Sequence, residues 1–385
     1  MTSIVQIGKP DPRILIIRLG AIGDVVRVLP ALHILRDAYP GAWLDWVVEE
    51  RCASVLEGHP ALDELLVFER PKSVRRAAAE FFQLCQRIRR KSYDVVIDFH
   101  GIFKSGLLVA ASGAPTRLGF ACPRSRELSY LFTNARIPLR STHLNRVEEN
   151  LTLSKSLAPG ASWPNLTVYV PMEVQEEIDA YIEQTFDGGK LLVALHVPMP
   201  RGEKRWPAGH FADLADLLLA DGRFDVVLTW GPGQFGCVHD VLSRCRRSPH
   251  VAPEIPDLKH YAWLVHRADL FFGGDTGPMH IAWVMGTPVV AVFGGTDPAK
   301  HAPYRVRHVI LCDGWQAGGP VRPGRSGAQA RLRRITPEMA YEACVRVLAD
   351  RSGNGCHHED RGDTDPEEDA LPESGVPRTS GEGPS

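Results

Sequence analysis

The 385-residue sequence has no paired cysteines: its eight cysteines, at 52, 85, 122, 237, 245, 312, 344 and 356, stand singly with no C-x-x-C. That scatter fits neither a zinc site nor a dense disulfide framework, and reduced thiols are the simplest reading. There is also no run approaching the roughly 18 apolar residues of a membrane-spanning helix. The opening Met-Thr-Ser-Ile-Val-Gln-Ile-Gly-Lys-Pro lacks a basic n-region and an apolar h-region, so neither export nor integral membrane placement is expected. A strong net charge is missing too, but the value of −2 is unevenly distributed. From His357 to Ser385 nine acids face two arginines, a net of −7, which leaves about +5 for residues 1–356. That last stretch, rich in Gly, Pro, Ser and acid, cannot bury enough surface to offset ordering its backbone, so residues 351–385 are expected to be a disordered tail.

What is present is a repeated strand-first pattern. Residues 13–18 are an aliphatic, β-branched run suited to a buried parallel strand, followed by a Gly-containing loop and a helical pattern over 25–38. Strands are predicted over 43–48, 65–68 and 93–98, with an arginine-rich amphipathic helix over 74–91. After a loose Pro-, Gly- and Ser-containing stretch at 154–171, the scheme restarts with a strand at 190–196. It continues with strands over 224–230, 270–273 and 289–293, between helices over 210–220, 238–246, 258–266 and 277–285. A last helix over 336–350 opens with Thr336 at a capping position and Pro337 in the first turn. With 44% hydrophobic residues the chain can bury two cores. The expected fold is α/β, with two doubly wound parallel-sheet domains facing across a cleft.

In open parallel sheets ligands sit beyond the carboxyl ends of strands, so loops there carry the functional expectations. The first is Gly20-Ala21-Ile22-Gly23-Asp24, which lacks the full G-x-G-x-x-G fingerprint. Asp24 is either a helix cap or a functional carboxylate. The second is Gly273-Gly274-Asp275-Thr276-Gly277-Pro278-Met279-His280, where free N–H groups at a helix N-terminus suit a pyrophosphate, unless Asp275 merely caps the helix. Lys204, in Lys204-Arg205-Trp206-Pro207, could reach a phosphate or be simply solvated. Between Arg117 and Arg146 six arginines face one acid, and residues 70–91 hold eight basic residues against Glu80. Solvated helix surface is the simpler reading of 70–91. The later cluster suits a phosphorylated partner, because guanidinium forks bind phosphate bidentately. Nucleic acid would suit the charge, but aromatic interleaving is absent.

Together these blocks resemble glycosyltransferase family 9, the heptosyltransferases of lipopolysaccharide core assembly, over nearly all of residues 13–350. The matching segments are Arg18-Leu19-Gly20-Ala21-Ile22-Gly23-Asp24-Val25 with Leu29-Pro30-Ala31-Leu32, Asp98-Phe99-His100-Gly101 with Lys104-Ser105, Lys204 to Pro207, and Gly274 to His280 with Gly286-Thr287-Pro288. The resemblance implies a GT-B architecture of two Rossmann-like domains. Residues 1–165 would receive the acceptor and 166–350 the nucleotide sugar, and the last helix could pack back on the first domain. It makes Asp24 the catalytic base in a loop shaped by Gly20 and Gly23. Lys204, Asp275, Thr276, Gly277 and His280 would contact the donor, with Gln234 expected beside them, and the basic first half makes Lys104, Arg117, Arg124, Arg126, His143 and Arg146 the expected acceptor contacts. The implied reaction is an inverting transfer of heptose from ADP-heptose to the inner core of lipopolysaccharide, without metal or cofactor. The one D-x-D, Asp363-Thr364-Asp365, lies in the tail, away from any such site. The implied place is cytoplasmic, peripheral at the inner face of the inner membrane, with a phosphorylated glycolipid and no nucleic acid as partner. Two departures keep alternatives open. Val197-Pro198-Met199-Pro200 stands where the family has small hydroxyl residues, and Gln234 stands where it often has Glu. A family member using another sugar nucleotide, or an inactive nucleotide-binding protein, would fit those changes.

Overall fold

The computed structural model describes residues 5, 7–69, 71, 73–164, 166–198, 205–315 and 327–349. Lys204 and the expected tail at 351–385 lie outside the described residues. The first sheet is built from β1 (Arg13–Ile17), β2 (Trp43–Glu49), β3 (Glu64–Phe68), β4 (Val95–Asp98), β5 (Thr116–Phe120) and β6 (Ala135–Ile137). The second contains β7 (Leu191–His196), β8 (Phe224–Thr229), β9 (His250–Val251), β10 (Leu270–Gly274), β11 (Val289–Val292) and β12 (His308–Leu311).

Every pairing is parallel, and the orders are β3-β2-β1-β4-β5-β6 and β12-β11-β10-β7-β8-β9. Both sheets therefore have one winding, in which the order reverses between the first and fourth strands of each half. This makes the crevices after β1 and β4, and after β7 and β10, the natural ligand sites. The central strands read Ile-Leu-Ile-Ile or Val-Val-Ile and are buried throughout, as strands covered by helices on both faces must be.

The helix expected over 25–38 is two helices, Ile22–Val26 and Leu29–Ala38. Pro30 in the second has no N–H for the carbonyl four residues earlier, so one continuous helix cannot form there. The helix Arg146–Leu157 packs on Leu29–Ala38, whereas Met172–Thr185 packs on Leu258–Arg267 in the second half. The final helix, Pro337–Ala349, does not return to the first domain. It packs against Ala208–Asp221 and the second sheet, where its apolar face (Ala340, Ala343, Cys344, Val347) joins the core around Trp206. Between the halves the apolar packing is continuous, running from Ile14 and Val25 through Val168 and Val170 to Met279 and Ile281.

Candidate active site

Beyond β1 the chain turns through Gly20 into the short helix Ile22–Val26, and this helix meets Gly277–Val284 of the other half. Glycine makes the approach possible on both sides. A Cβ on Gly23 would lie 2.4 Å from the His280 ring, and one on Gly277 would lie 3.0 Å from Ile22. Asp24 is the third residue of its helix, whose N-cap is Ala21, so its carboxylate does not cap. The cap of the second loop is Thr276, with no side-chain bond to the helix, so Asp275 does not cap either.

The Asp24 carboxylate is held instead by two arginines. Arg18 Nη2 stands 2.5 Å from Oδ2 and Arg27 Nη1 2.7 Å from Oδ1, both guanidinium groups being buried. Arg27 reaches on to His280 Nε2 at 2.6 Å, which makes it a bridge between the halves. Burial works to raise the Asp24 carboxyl, but Arg18, Arg27 and then His280 outweigh it and hold the group well below the usual carboxylate range. Asp24 keeps 34% of its side-chain surface open. Asp275, 3.5 Å from His280 Nε2, is likewise depressed, burial being overcome by the histidine contact. Burial and then the Arg27 charge lower His280 to about 4, so the ring is neutral near pH 7.

Two cavities flank this contact. The smaller, ≈ 210 Å³, opens on Asp24 and is lined by Arg18, His100, Arg124, Arg126, Arg146 and, from the second half, His301. Two of its arginines are set by one buried acid: Glu149 Oε2 accepts from Arg124 Nε at 2.6 Å and from Arg146 Nη1 at 2.5 Å. Burial and then Arg18 lower His100 to about 3. The turn that presents His100 is tied by buried Asp98, which accepts from the N–H groups of His100 and Gly101 and from the Ser105 hydroxyl. Burial raises the Asp98 carboxyl.

The larger cavity, ≈ 530 Å³, lies at the carboxyl ends of β7, β8 and β10. Its walls include Trp230, Ile255, Leu258 and Tyr261, and Thr276 and Pro278 of the helix N-terminus stand at its inner end beside Ile22. An apolar slot ending on free backbone N–H groups is shaped for a flat ring joined to an anion. Gln234 also lines it, but its Oε1 accepts the Gly231 N–H at 3.1 Å, which leaves the amide nitrogen to face a ligand.

The structure thus brings Asp24, Arg124, Arg126 and Arg146 to one cavity and Thr276 and Gln234 to the other, with Gly23, Gly277, Asp275 and His280 at the seam. Lys104, Arg117 and His143 line neither cavity. Lys104 pairs with Glu49 at 3.0 Å over the Phe68 ring. Arg117 donates to the backbone carbonyls of Phe132 and Ala114, and His143 is an exposed loop residue. Gly20 stands beside the Arg51 guanidinium. Of the block that contains Lys204, Trp206 is a fully buried core residue whose indole donates to the Ile335 carbonyl.

Sequence reasoning missed Arg18 and Arg27 as the holders of Asp24, although Arg27 follows Asp24 by three residues, one turn along a helix. It also missed His301 and the wall formed by Ile255 to Leu258, where a loop without a motif of its own runs into the Asp257-capped helix Leu258–Arg267.

A family model, glycosyltransferase family 9 (heptosyltransferase), matches residues 81–321. Lipopolysaccharide heptosyltransferase 1 of Escherichia coli (strain K12) is 31% identical over 317 residues, 77% of this chain and 92% of that protein. The same-named protein of Pseudomonas aeruginosa is 28% identical over 78% of this chain and 83% of its own length. Among solved structures, a family 9 glycosyltransferase from Veillonella parvula superposes with a TM-score of 0.73 at 23% identity, covering 91% of this chain and 99% of that one. An E. coli heptosyltransferase with ADP-2-deoxy-2-fluoro heptose gives a TM-score of 0.64 at 25% identity over 87% and 99%.

Proposed function

The chain belongs to glycosyltransferase family 9, and from that premise we propose that it transfers heptose, with inversion, from ADP-heptose to the inner core of lipopolysaccharide at the cytoplasmic face of the inner membrane. The observation that carries this reading is the position of Asp24. It opens into the basic cavity, while Ile22, two residues earlier in the same helix, lines the nucleotide cavity.

The nucleobase lies in the slot of Trp230, Ile255 and Leu258, and the diphosphate lies on the N–H groups that open the helix Gly277–Val284. The heptose then points past the seam toward Asp24. As the bond to the diphosphate breaks, the sugar gains oxocarbenium character and the leaving group gains charge, which the helix N-terminus and Lys204 neutralise without a metal. Asp24 accepts the acceptor hydroxyl proton. A carboxylate gripped by two guanidinium groups is ionised but weakly basic. An anionic acceptor entering among Arg18, Arg124, Arg126 and Arg146 competes for Arg18 and so strengthens the base as it binds.

The test is to incubate the purified chain with ADP-heptose and a core acceptor lacking heptose, and to assign the new glycosidic linkage by NMR. Transfer with inversion is expected, and hydrolysis alone or a retained anomer would refute the proposal. A second reading, another sugar nucleotide, is favoured by Gln234, which offers an amide where a carboxylate would accept ribose hydroxyls. Thermal shift with ADP-, UDP- and GDP-sugars separates the two, since the true donor stabilises the fold most.

A further inference from the structure

Three elements lie side by side over one face of the first sheet: the helices Val74–Arg90 and Phe103–Ser112 and the 3-10 turn Ser129–Phe132. Their inner faces share one buried cluster, with Leu84 and Ile88 beside Leu108 and Val109 and Phe132 packed against them. Phe103 and Phe132 meet edge to face at 5.7 Å. Their outer faces carry large apolar side chains left in water. Phe82 is 63% exposed, Phe103 47%, Leu128 54% and Leu131 61%. Single exposed apolar residues need no explanation, but four on adjoining elements mark an interaction surface.

The charge around them is mostly positive, with Glu80 and Glu127 as acids among it; the Glu127 carboxylate accepts the Phe103 N–H at 3.3 Å. The helix Val74–Arg90 carries Arg75, Arg76, Arg87, Arg89 and Arg90 against Glu80, and of these arginines only Arg87 reaches a carboxylate among the described residues, Glu64 at 3.7 Å. The patch also borders the catalytic cavity. Ile102 and Arg126 line that cavity, and Phe103 and Leu128 follow them in the chain by one and two residues.

We propose that this face seats the protein on an anionic lipid bilayer. Phe82, Phe103, Leu128 and Leu131 enter the headgroup region, and Arg75, Arg76 and Arg90 pair with lipid phosphates. The inference rests on the reading that the acceptor is lipid-held, and it names the surface that brings the cavity to it. A second copy of the same face is disfavoured, because it would set arginine against arginine.

The full chain is tested by sedimentation with vesicles of phosphatidylglycerol and phosphatidylethanolamine, and with vesicles of phosphatidylcholine alone. Two double variants, Phe82→Ser with Leu131→Ser and Arg75→Glu with Arg90→Glu, are compared with wild type. The wild type is expected to bind the anionic vesicles alone, and each variant to lose on the order of tenfold in binding. Transfer to a lipid-free core oligosaccharide should be unchanged in both variants, which shows that they are folded and separates this proposal from the catalytic one. Absence of wild-type binding, equal binding to phosphatidylcholine, or undiminished binding by both variants would overturn it. A dimer abolished by the same substitutions would overturn it in favour of self-association.

Discussion

At the scale of single residues, Asp24 is unusual in the strength with which it is kept ionised. Because its folded pKa is depressed, the stability that its arginine contacts supply is fully present above the ordinary carboxylate pKa of about 4. It is lost only as pH falls toward the lower folded value. In the proposed mechanism the same logic governs rate. Removing Arg27 withdraws one of the two charges that depress Asp24, so in Arg27→Met the acid limb of the kcat profile moves to higher pH. An acid limb that stays where the wild type has it would show that Arg27 only joins the halves. Asp24 was legible in the sequence because a carboxylate follows a Gly-containing turn after a strand. Its partners were not, because Arg18 and the contact from Arg27 to His280 exist only once two distant segments meet. Lys104 shows the converse. It stands in a family-like block, yet its ammonium is taken by the buried carboxylate of Glu49.

At the scale of elements, the decisive contact is one short helix of the first half against one helix of the second, permitted by Gly23 and Gly277. A methyl on Gly23 meets the buried His280 ring, which cannot step aside, so Gly23→Ala should cost about 1–3 kcal/mol by overpacking and lower transfer as well. Gly20→Ala meets the movable end of Arg51 at 3.3 Å, with the Cys52 sulfur at 3.4 Å and Glu49 Oε2 at 3.7 Å in ordinary contact, and should shift the denaturation midpoint much less than Gly23→Ala. Chemical denaturation of the two variants checks the contrast, and equal losses would show that the seam is not tightly packed. The long aliphatic strands could be read from their composition. The outer strands β5, β6, β9 and β12 could not: β5, between β4 and β6, interrupts its apolar residues with Arg117 and Gly119, and β6 and β9 are three and two residues long. Trp206 looked like part of a phosphate motif but is an anchor with no exposed surface, and Trp206→Ala should cost about 3–5 kcal/mol in the same measurement.

At the scale of the whole molecule, two sheets of identical winding each leave a cavity beyond their switch point, and the lining side chains make one basic, through Arg18, Arg124, Arg126 and Arg146, and the other apolar, through Trp230, Ile255 and Leu258. The repeat of the strand-first pattern made this architecture readable. The packing of the last helix was not readable, since its apolar stripe fits either half. The molecule also buries several histidines in neutral form: His59, His280 and His301 are lowered to about 4, and His196 and His100 to about 3, chiefly by burial. The unfolded chain binds these protons near pH 6.5 and the folded chain does not, so stability falls as pH drops from about 6.5 toward 4. A melting temperature flat between pH 7 and pH 4.5 would contradict that. The central claim is that the two cavities serve one reaction through Asp24. Its most direct test is the transfer rate of Asp24→Asn, with ADP-heptose affinity measured on the same preparation. Transfer should fall by roughly two to four orders of magnitude while donor affinity changes by less than about threefold. Transfer within a few-fold of wild type would contradict the account.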